Sequence, residues 1–205
     1  MSENAPIARS PLRVTRPAEI RDGWELSAAR SSAALRLADR TPLAKVLVRA
    51  AQDGQVAGRL GVPFGSARRD PAGTLVVGSG PGEWLLFGPL GSAAEVAAGV
   101  DVADDALVSV LDYTHGRALM RLTGAAAAQT LAKVCAIDLS DRLTPDHAAF
   151  RSTVAQVATD VVRDDVDGTR SYLLHCERSS GQHLFDALYD AGEEFGLEAD
   201  GFAFP

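Results

Sequence analysis

Residues 110–124, VLDYTHGRALMRLTG, gather the side chains best suited to chemistry in this chain. His115 stands directly before Gly116, and beyond them Arg117, Leu119 and Arg121 alternate with Ala118, Met120 and Leu122. A period of two predicts a strand with one apolar face and an opposite face carrying both guanidiniums. Two arginines side by side on a strand could receive a carboxylate or a partner surface, the plainer alternative being two solvated surface cations. His115 has no nucleophile or carboxylate at a spacing that would make it a general base. With Gly116 it reads as a structural turn whose ring bonds local backbone at the strand entrance.

Other chemistries find less support. The glycines of GSGPG, residues 78–82, suggest a phosphate loop, but no Gly-Lys-Ser/Thr follows and the segment runs into Glu83 and Trp84 of an apolar strand. The same stretch fails the nucleophile-elbow pattern and does not continue as a dinucleotide fingerprint. Cys135 and Cys176 form no C-x-x-C and read as two buried thiols in a reducing cytosol, the first inside an amphipathic helix. His115, His147, His175 and His183 include no i, i+4 pair, so no metal site is expected, and His175 reads as a strand-face residue. The acid pairs Asp104-Asp105, Asp164-Asp165 and Glu193-Glu194 read as solvated surface.

The elements that must position these residues follow from pattern. Residues 1–22, with Pro6, Pro11 and Pro17, read as an extended N-terminal arm, and 23–205 as one domain, possibly two intertwined α+β subdomains. AKVLVRA (44–50) predicts a buried strand; Asp53 is placed as the cap of a short helix ending at Gly61. TLVV and EWLLFG flank GSGPG as a hairpin, SAAEVAAG (92–99) is a short helix, and ALVSVLD (106–112) is a strand. GAAAAQTLAKVCAIDL predicts a core-facing helix, STVAQVATDVVRDD one long strand, and VDGT a turn into RSYLLHCE. A last helix starts at Ser179 or Ser180 and ends at Gly196, and the tail could dock Phe202 and Phe204. This order predicts an α+β fold: antiparallel sheets with helices on one face, in ferredoxin-like, split βαβ units.

Charge narrows the partners. A formal net charge of −7 argues against nucleic acid, which is bound through clustered Lys and Arg. No stretch approaches the roughly 20 apolar residues of a membrane span, and the N-terminus lacks a signal-peptide core, so a cytoplasmic protein is expected.

RSPL (9–12), GPGEWLLFGP (80–89), LDYTHGRALMRLTG (111–124), LAKVCAIDLSDRLTP (131–145) and HLFDALYDAGEEFG (183–196) together resemble the gamma-subunit family of heterotetrameric sarcosine oxidases. That family is in turn similar to the folate-binding aminomethyltransferases, whose folate-binding fold it implies here. In that comparison Asp138 takes the turn after a helix, and Asp160 falls near the transferases' catalytic aspartate region; Asp160, with Arg117 and Arg121 of the strand's polar face, is a candidate for partner contact or a vestigial folate site. The resemblance implies a non-catalytic subunit of a complex that oxidatively demethylates sarcosine to glycine, passes the one-carbon unit to tetrahydrofolate and releases peroxide. Its partners would be alpha, beta and delta subunits holding FAD, FMN, NAD, zinc and the folate site, with no cofactor in this chain. A free-standing folate-binding or one-carbon transfer protein is the alternative.

Overall fold

The structure, a computed structural model, describes residues 6–13, 15–100 and 107–202. In chain order the elements are β1 (Ala8–Arg9), β2 (Ala18–Arg21), β3 (Trp24–Ser27), β4 (Leu35–Asp39), β5 (Leu43–Arg49), α1 (Gln55–Leu60), β6 (Ala67–Arg69), β7 (Leu75–Gly80), β8 (Glu83–Leu90), α2 (Ala93–Ala98) and β9 (Ser109–Asp112). They continue with β10 (Arg117–Thr123), α3 (Ala127–Ala132), β11 (Ala149–Val154), β12 (Val157–Arg163), β13 (Ser171–Glu177), α4 (Gly181–Gly192) and β14 (Leu197–Asp200).

Two large sheets result. One has the order β11-β12-β13-β10-β4-β14, the other β6-β7-β8-β5-β9. Pairing within them is antiparallel except between β4 and β14, which run parallel. The chain enters the first sheet at β4, crosses to build the whole of the second from β5 to β9, and returns at β10, so the first sheet is interrupted in sequence and the second is one continuous run.

The strands are apolar on both faces because both faces are covered. Ala118, Met120 and Leu122 of β10 pack with Leu131 of α3 and with Leu184 and Leu188 of α4 on the outer side of the six-stranded sheet. Val46, Val48, Val76 and Leu86 of the five-stranded sheet pack with Val56 of α1 and Val96 of α2 on its outer side. The two inner faces meet, Leu47, Leu75, Leu85 and Phe87 against Leu119, Val162 and Leu173. The molecule is therefore α+β, with helices on the outer face of each sheet and the sheets packed face to face.

Several local expectations are corrected. The stretch expected as one strand is a hairpin: Ala155 and Gln156, at φ 46° and 66°, turn β11 into β12 without a Gly or Asn to announce it. The turn is tied down from outside, the Ala155 amide donating to the Val134 carbonyl at 2.9 Å. The core-facing helix is only the six residues of α3. Cys135 lies beyond it, bridged to Val154, because the Lys133 and Val134 amides tighten to i−3 carbonyls and end the helix. Gly54, not Asp53, sits at the N-cap of α1. The strand expected from 106 begins at Ser109; Ala106, with Asp104, Asp105 and Phe204, lies outside the described residues.

The described part of the N-terminal segment lies on the body of its own chain. β1 and β2 flank β3 in a three-stranded sheet, Leu12 is buried in the outer core of the six-stranded sheet, and the Arg178 guanidinium bonds the Arg9 carbonyl. Phe202 docks beside Trp24, Leu26 and Leu90.

Candidate functional site

Strand register decides which charges meet. In β10 the odd residues 117, 119 and 121 face the neighbouring sheet, opposite Glu177, His175 and Leu173 of β13. His175 is in turn level with Asp160 of β12, and Asp160 with Arg151 of β11. Four neighbouring strands thus deliver Arg117, His175, Asp160 and Arg151 to one row on the inner face of the six-stranded sheet.

Asp160 is the hub. Its side chain is 7% exposed, and it accepts from Arg151 Nε at 2.6 Å, His175 Nδ1 at 3.3 Å and Arg117 Nη2 at 3.5 Å. Burial alone would raise the carboxyl, but the bonds from His175 and Arg151 outweigh it and hold the pKa below the ordinary value. His175 is pushed down to about 4 by burial, with Asp160 pulling the other way, so the ring is neutral at pH 7. The proton then sits on Nδ1, facing the carboxylate, and leaves Nε2 a buried lone pair without a partner. Phe87 from the other sheet stands edge-on to the ring, centroids 5.5 Å apart at 77°.

The row continues across the gap between the sheets. Arg151 Nη2 lies 3.4 Å from Glu83 of β8, and Glu83 accepts from Arg49 of β5 at 2.9 Å. Arg117 also pairs with Glu177. Three guanidiniums, those of Arg49, Arg117 and Arg151, face three carboxylates, those of Glu83, Asp160 and Glu177, and the cluster neutralises itself.

Arg121 does not join this row. Two residues along β10 it bonds Asp164 Oδ2 at 2.5 Å, the Asp164 carbonyl at 2.9 Å and Ser171 Oγ at 2.9 Å. Arg69 of β6 reaches the same Asp164 oxygen at 2.8 Å, which makes a second clasp between the sheets. The pair Asp164-Asp165, expected on a solvated surface, is instead engaged: Asp164 is 2% exposed, and Asp165 binds Arg163 through both oxygens. Glu194 fits the surface reading and pairs with Lys133 at 2.8 Å.

His115 is exposed and lies flat on Trp24 of the N-terminal sheet, ring centroids 4.9 Å apart at 3°. Its neighbour Gly116 closes the turn, its amide donating to Tyr113 O at 3.0 Å. Asp138 is exposed, accepts the Ser140 amide at 2.8 Å, and is held below its ordinary pKa by that bond.

Two further members of this charged layer are His175 and Lys45. His175 is a strand-face residue, as its place in RSYLLHCE predicts, and only the pairing of β10 with β13 brings it two residues from Arg117. Lys45 sits inside an otherwise apolar strand, fully buried, with Nζ donating to the Thr41 carbonyl at 2.5 Å and the Leu43 carbonyl at 2.9 Å. A single lysine within seven strand residues was the available signal. Burial pushes it down to about 7, against the pull of Asp39.

Among the described residues no Ser, Thr or Cys side chain is hydrogen-bonded to the His175 ring. Cys176 points to the opposite side of β13, into the helix-covered core, and burial raises its thiol to about 11. Both cysteines are free and buried. Among the described residues no three His, Cys, Asp or Glu come together as a metal site, and no helix is long and apolar enough to cross a membrane.

Comparison with known proteins places this geometry. The chain is 32% identical over 142 residues to the sarcosine oxidase subunit gamma of Corynebacterium sp. (strain P-1), an alignment covering 68% of this chain and 65% of that relative. The match thus spans slightly less than two thirds of the relative's length. Among solved structures, heterotetrameric sarcosine oxidase from Corynebacterium sp. U-96, in complex with pyrrole 2-carboxylate, contains a chain with the same fold: TM-score 0.68, 23% identity, 83% of this chain and 90% of that one. Glycine cleavage system aminomethyltransferase T from Bartonella henselae shares it too, at TM-score 0.69 and 15% identity, over 90% of this chain and 55% of that one. The family model of the GCVT N-terminal domain matches residues 82–203, which include β10, β12, β13 and the whole Asp160–His175 row, and the chain belongs to that family.

Proposed function

We propose that this chain is a non-catalytic, structural subunit of a heterotetrameric sarcosine oxidase, an oxidoreductase that demethylates sarcosine to glycine. Likeness to a named gamma subunit supports the assembly. The observation that carries the non-catalytic part is the engagement of Asp160: its buried carboxylate already accepts from Arg151, His175 and Arg117 of its own chain. Tetrahydrofolate, the group implied by the aminomethyltransferase likeness, would have to compete with these partners for Asp160. Arg117 and Arg121 likewise hold carboxylates of their own chain.

On this reading alpha, beta and delta subunits are the partners, and FAD, FMN, NAD, zinc and the folate site belong to them. The complex works in the cytoplasm, and neither nucleic acid nor a membrane is its target. The inner charged layer keeps two sheets in one orientation so that the outer surface meets the large subunits as a rigid block.

The test is to tag the chain in its native host, purify it gently and record co-eluting polypeptides, visible absorbance and peroxide release. Three further chains, a flavin spectrum and sarcosine-dependent peroxide are expected, with turnover per complex unchanged in Asp160→Asn. A colourless monomer that binds folate, or a complex whose turnover collapses in Asp160→Asn while its composition is intact, overturns the reading.

A further inference from the structure

The sequence contains four Asp-Gly pairs, at 22–23, 53–54, 167–168 and 200–201. Asp before Gly is prone to closing a ring on itself, because glycine has no side chain to shield its amide nitrogen from the neighbouring carboxyl carbon. Closure requires that nitrogen to turn towards the carboxyl, so whatever holds the glycine backbone slows the reaction.

The fold sorts the four pairs by this criterion. The Gly54 amide donates to the Ala51 carbonyl at 3.0 Å, and its carbonyl accepts the Gly58 amide at 3.1 Å. Gly201 is buried, and its amide is shared between the Ala29 carbonyl at 3.2 Å and Asp200 Oδ1 at 3.0 Å. Gly23 is anchored through its carbonyl, which accepts the Ala8 amide at 2.7 Å. Gly168 is held by neither group: among the described residues its amide donates no backbone hydrogen bond and its carbonyl accepts none.

The surroundings of Asp167 are equally open. Val166 and Thr169 exchange both backbone bonds, at 2.9 and 2.8 Å, and leave Asp167 and Gly168 as the two loop residues between β12 and β13. Both are exposed, and a Cβ at Gly168 would meet no atom within 4 Å. Asp167 sits at φ 49°, where a side chain is under strain, so the turn opposes reorganisation weakly.

We propose that Asp167 is a site of spontaneous isoaspartate formation. The Gly168 nitrogen attacks Asp167 Cγ; the N–Cγ bond forms, a carboxyl C–O bond breaks, and the amide proton leaves with that oxygen as water. Water then opens the cyclic succinimide at either carbonyl. Opening at Cγ restores aspartate, whereas opening at the main-chain carbon routes the backbone through the side chain and adds a methylene to the turn. The lengthened loop no longer closes the Val166–Thr169 pair in register, at the end of the hairpin that carries Asp160 and His175. This goes beyond the structural-subunit reading and does not rest on it.

The experiment is peptide mapping of the protein as purified from its native host and then kept for weeks at neutral pH. Isoaspartate is located by electron-transfer fragmentation and counted with an isoaspartyl methyltransferase and a labelled methyl donor. Conversion at Asp167 is expected to be the fastest of the four pairs, and about ten-fold faster than at Asp53 or Asp200, since each of those must first give up an amide hydrogen bond. In urea the four rates should converge. In Asp167→Glu, whose longer side chain closes the ring poorly, the signal from this peptide should vanish. No isoaspartate at Asp167, conversion no faster there than at the other three pairs, or a ranking that persists in urea overturns the proposal. So does a signal from this peptide that remains in Asp167→Glu.

Discussion

His175 and Asp160 stand side by side on β13 and β12, Nδ1 to Oδ2 3.3 Å apart, in the layer where the two sheets meet. The same pair at the bottom of an open pocket would suggest an oriented general base. Here the second ring nitrogen ends in the buried interior beside Phe87, and the carboxylate is shared with two arginines. The pair links strands of one sheet, and Arg151 extends the link to Glu83 of the other. A buried carboxylate of this kind adds little net stability against an apolar substitute, but removing one partner exposes the cost of the rest.

Asp160→Asn tests that cost. The substitution keeps the shape and leaves Arg117 and Arg151 without their shared counter-charge, Arg117 being 15% exposed. A loss of about 2–3 kcal/mol in unfolding free energy is expected by urea denaturation, with the slope of the transition unchanged. A change below about 0.5 kcal/mol would mean that the row is ornamental to stability.

Acid should unfold the chain through His175. The ring is held near 4 in the fold, against an ordinary value of 6.5, so the unfolded chain takes up the proton first as pH falls. The stability tied to the neutral ring is complete above about pH 6.5 and disappears as pH drops towards 4, a window worth about 3 kcal/mol by linkage. In His175→Gln the decline between pH 6.5 and 4 should flatten. An unaltered acid limb in that variant would assign the sensitivity to other groups.

Lys45 should act at the other end of the scale. Its folded pKa of about 7 lies below the ordinary 10.5, so between these values the unfolded chain carries the extra proton and stability rises with pH. Below about pH 7 both states are charged and the burial cost is fully present. Lys45→Met is expected to gain stability at pH 7 and to lose the upward slope measured between pH 7 and 9. A variant that is less stable than the parent at pH 7 would show that the bonds to Thr41 and Leu43 outweigh desolvation.

Much of this was legible in the sequence. The period of two in 117–122, the hairpin at GSGPG, the final helix with Leu184 and Leu188, and the α+β order all follow from local pattern. What pattern could not give was the pairing of distant strands. Asp164 looks like one of two loop carboxylates until β6 brings Arg69 and β10 brings Arg121 to it. Gly78 looks like turn chemistry, yet the turn proper is Pro81-Gly82; Gly78 is needed because a Cβ there would press on the Pro63 carbonyl, where Phe64 bridges to it. Long strands invite the same error in reverse: 152–165 has the apolar density of one strand, and only the φ values of Ala155 and Gln156 show two.

That turn offers the last prediction. Ala155 and Gln156 both occupy the left-handed region, where a side chain costs roughly 1–2 kcal/mol and glycine is at ease. Ala155 has tertiary ties, since its carbonyl lies 3.1 Å from His183 Nε2, whereas Gln156 is exposed. Gln156→Gly should relieve the strain at one position while adding some freedom to the unfolded chain, for a net gain of about 0.5–1 kcal/mol. A rise of a few degrees in the thermal midpoint would accompany it. A lower midpoint would mean that β11 and β12 are not joined by this two-residue turn, and the register that aligns Arg151 with Asp160 would have to be redrawn.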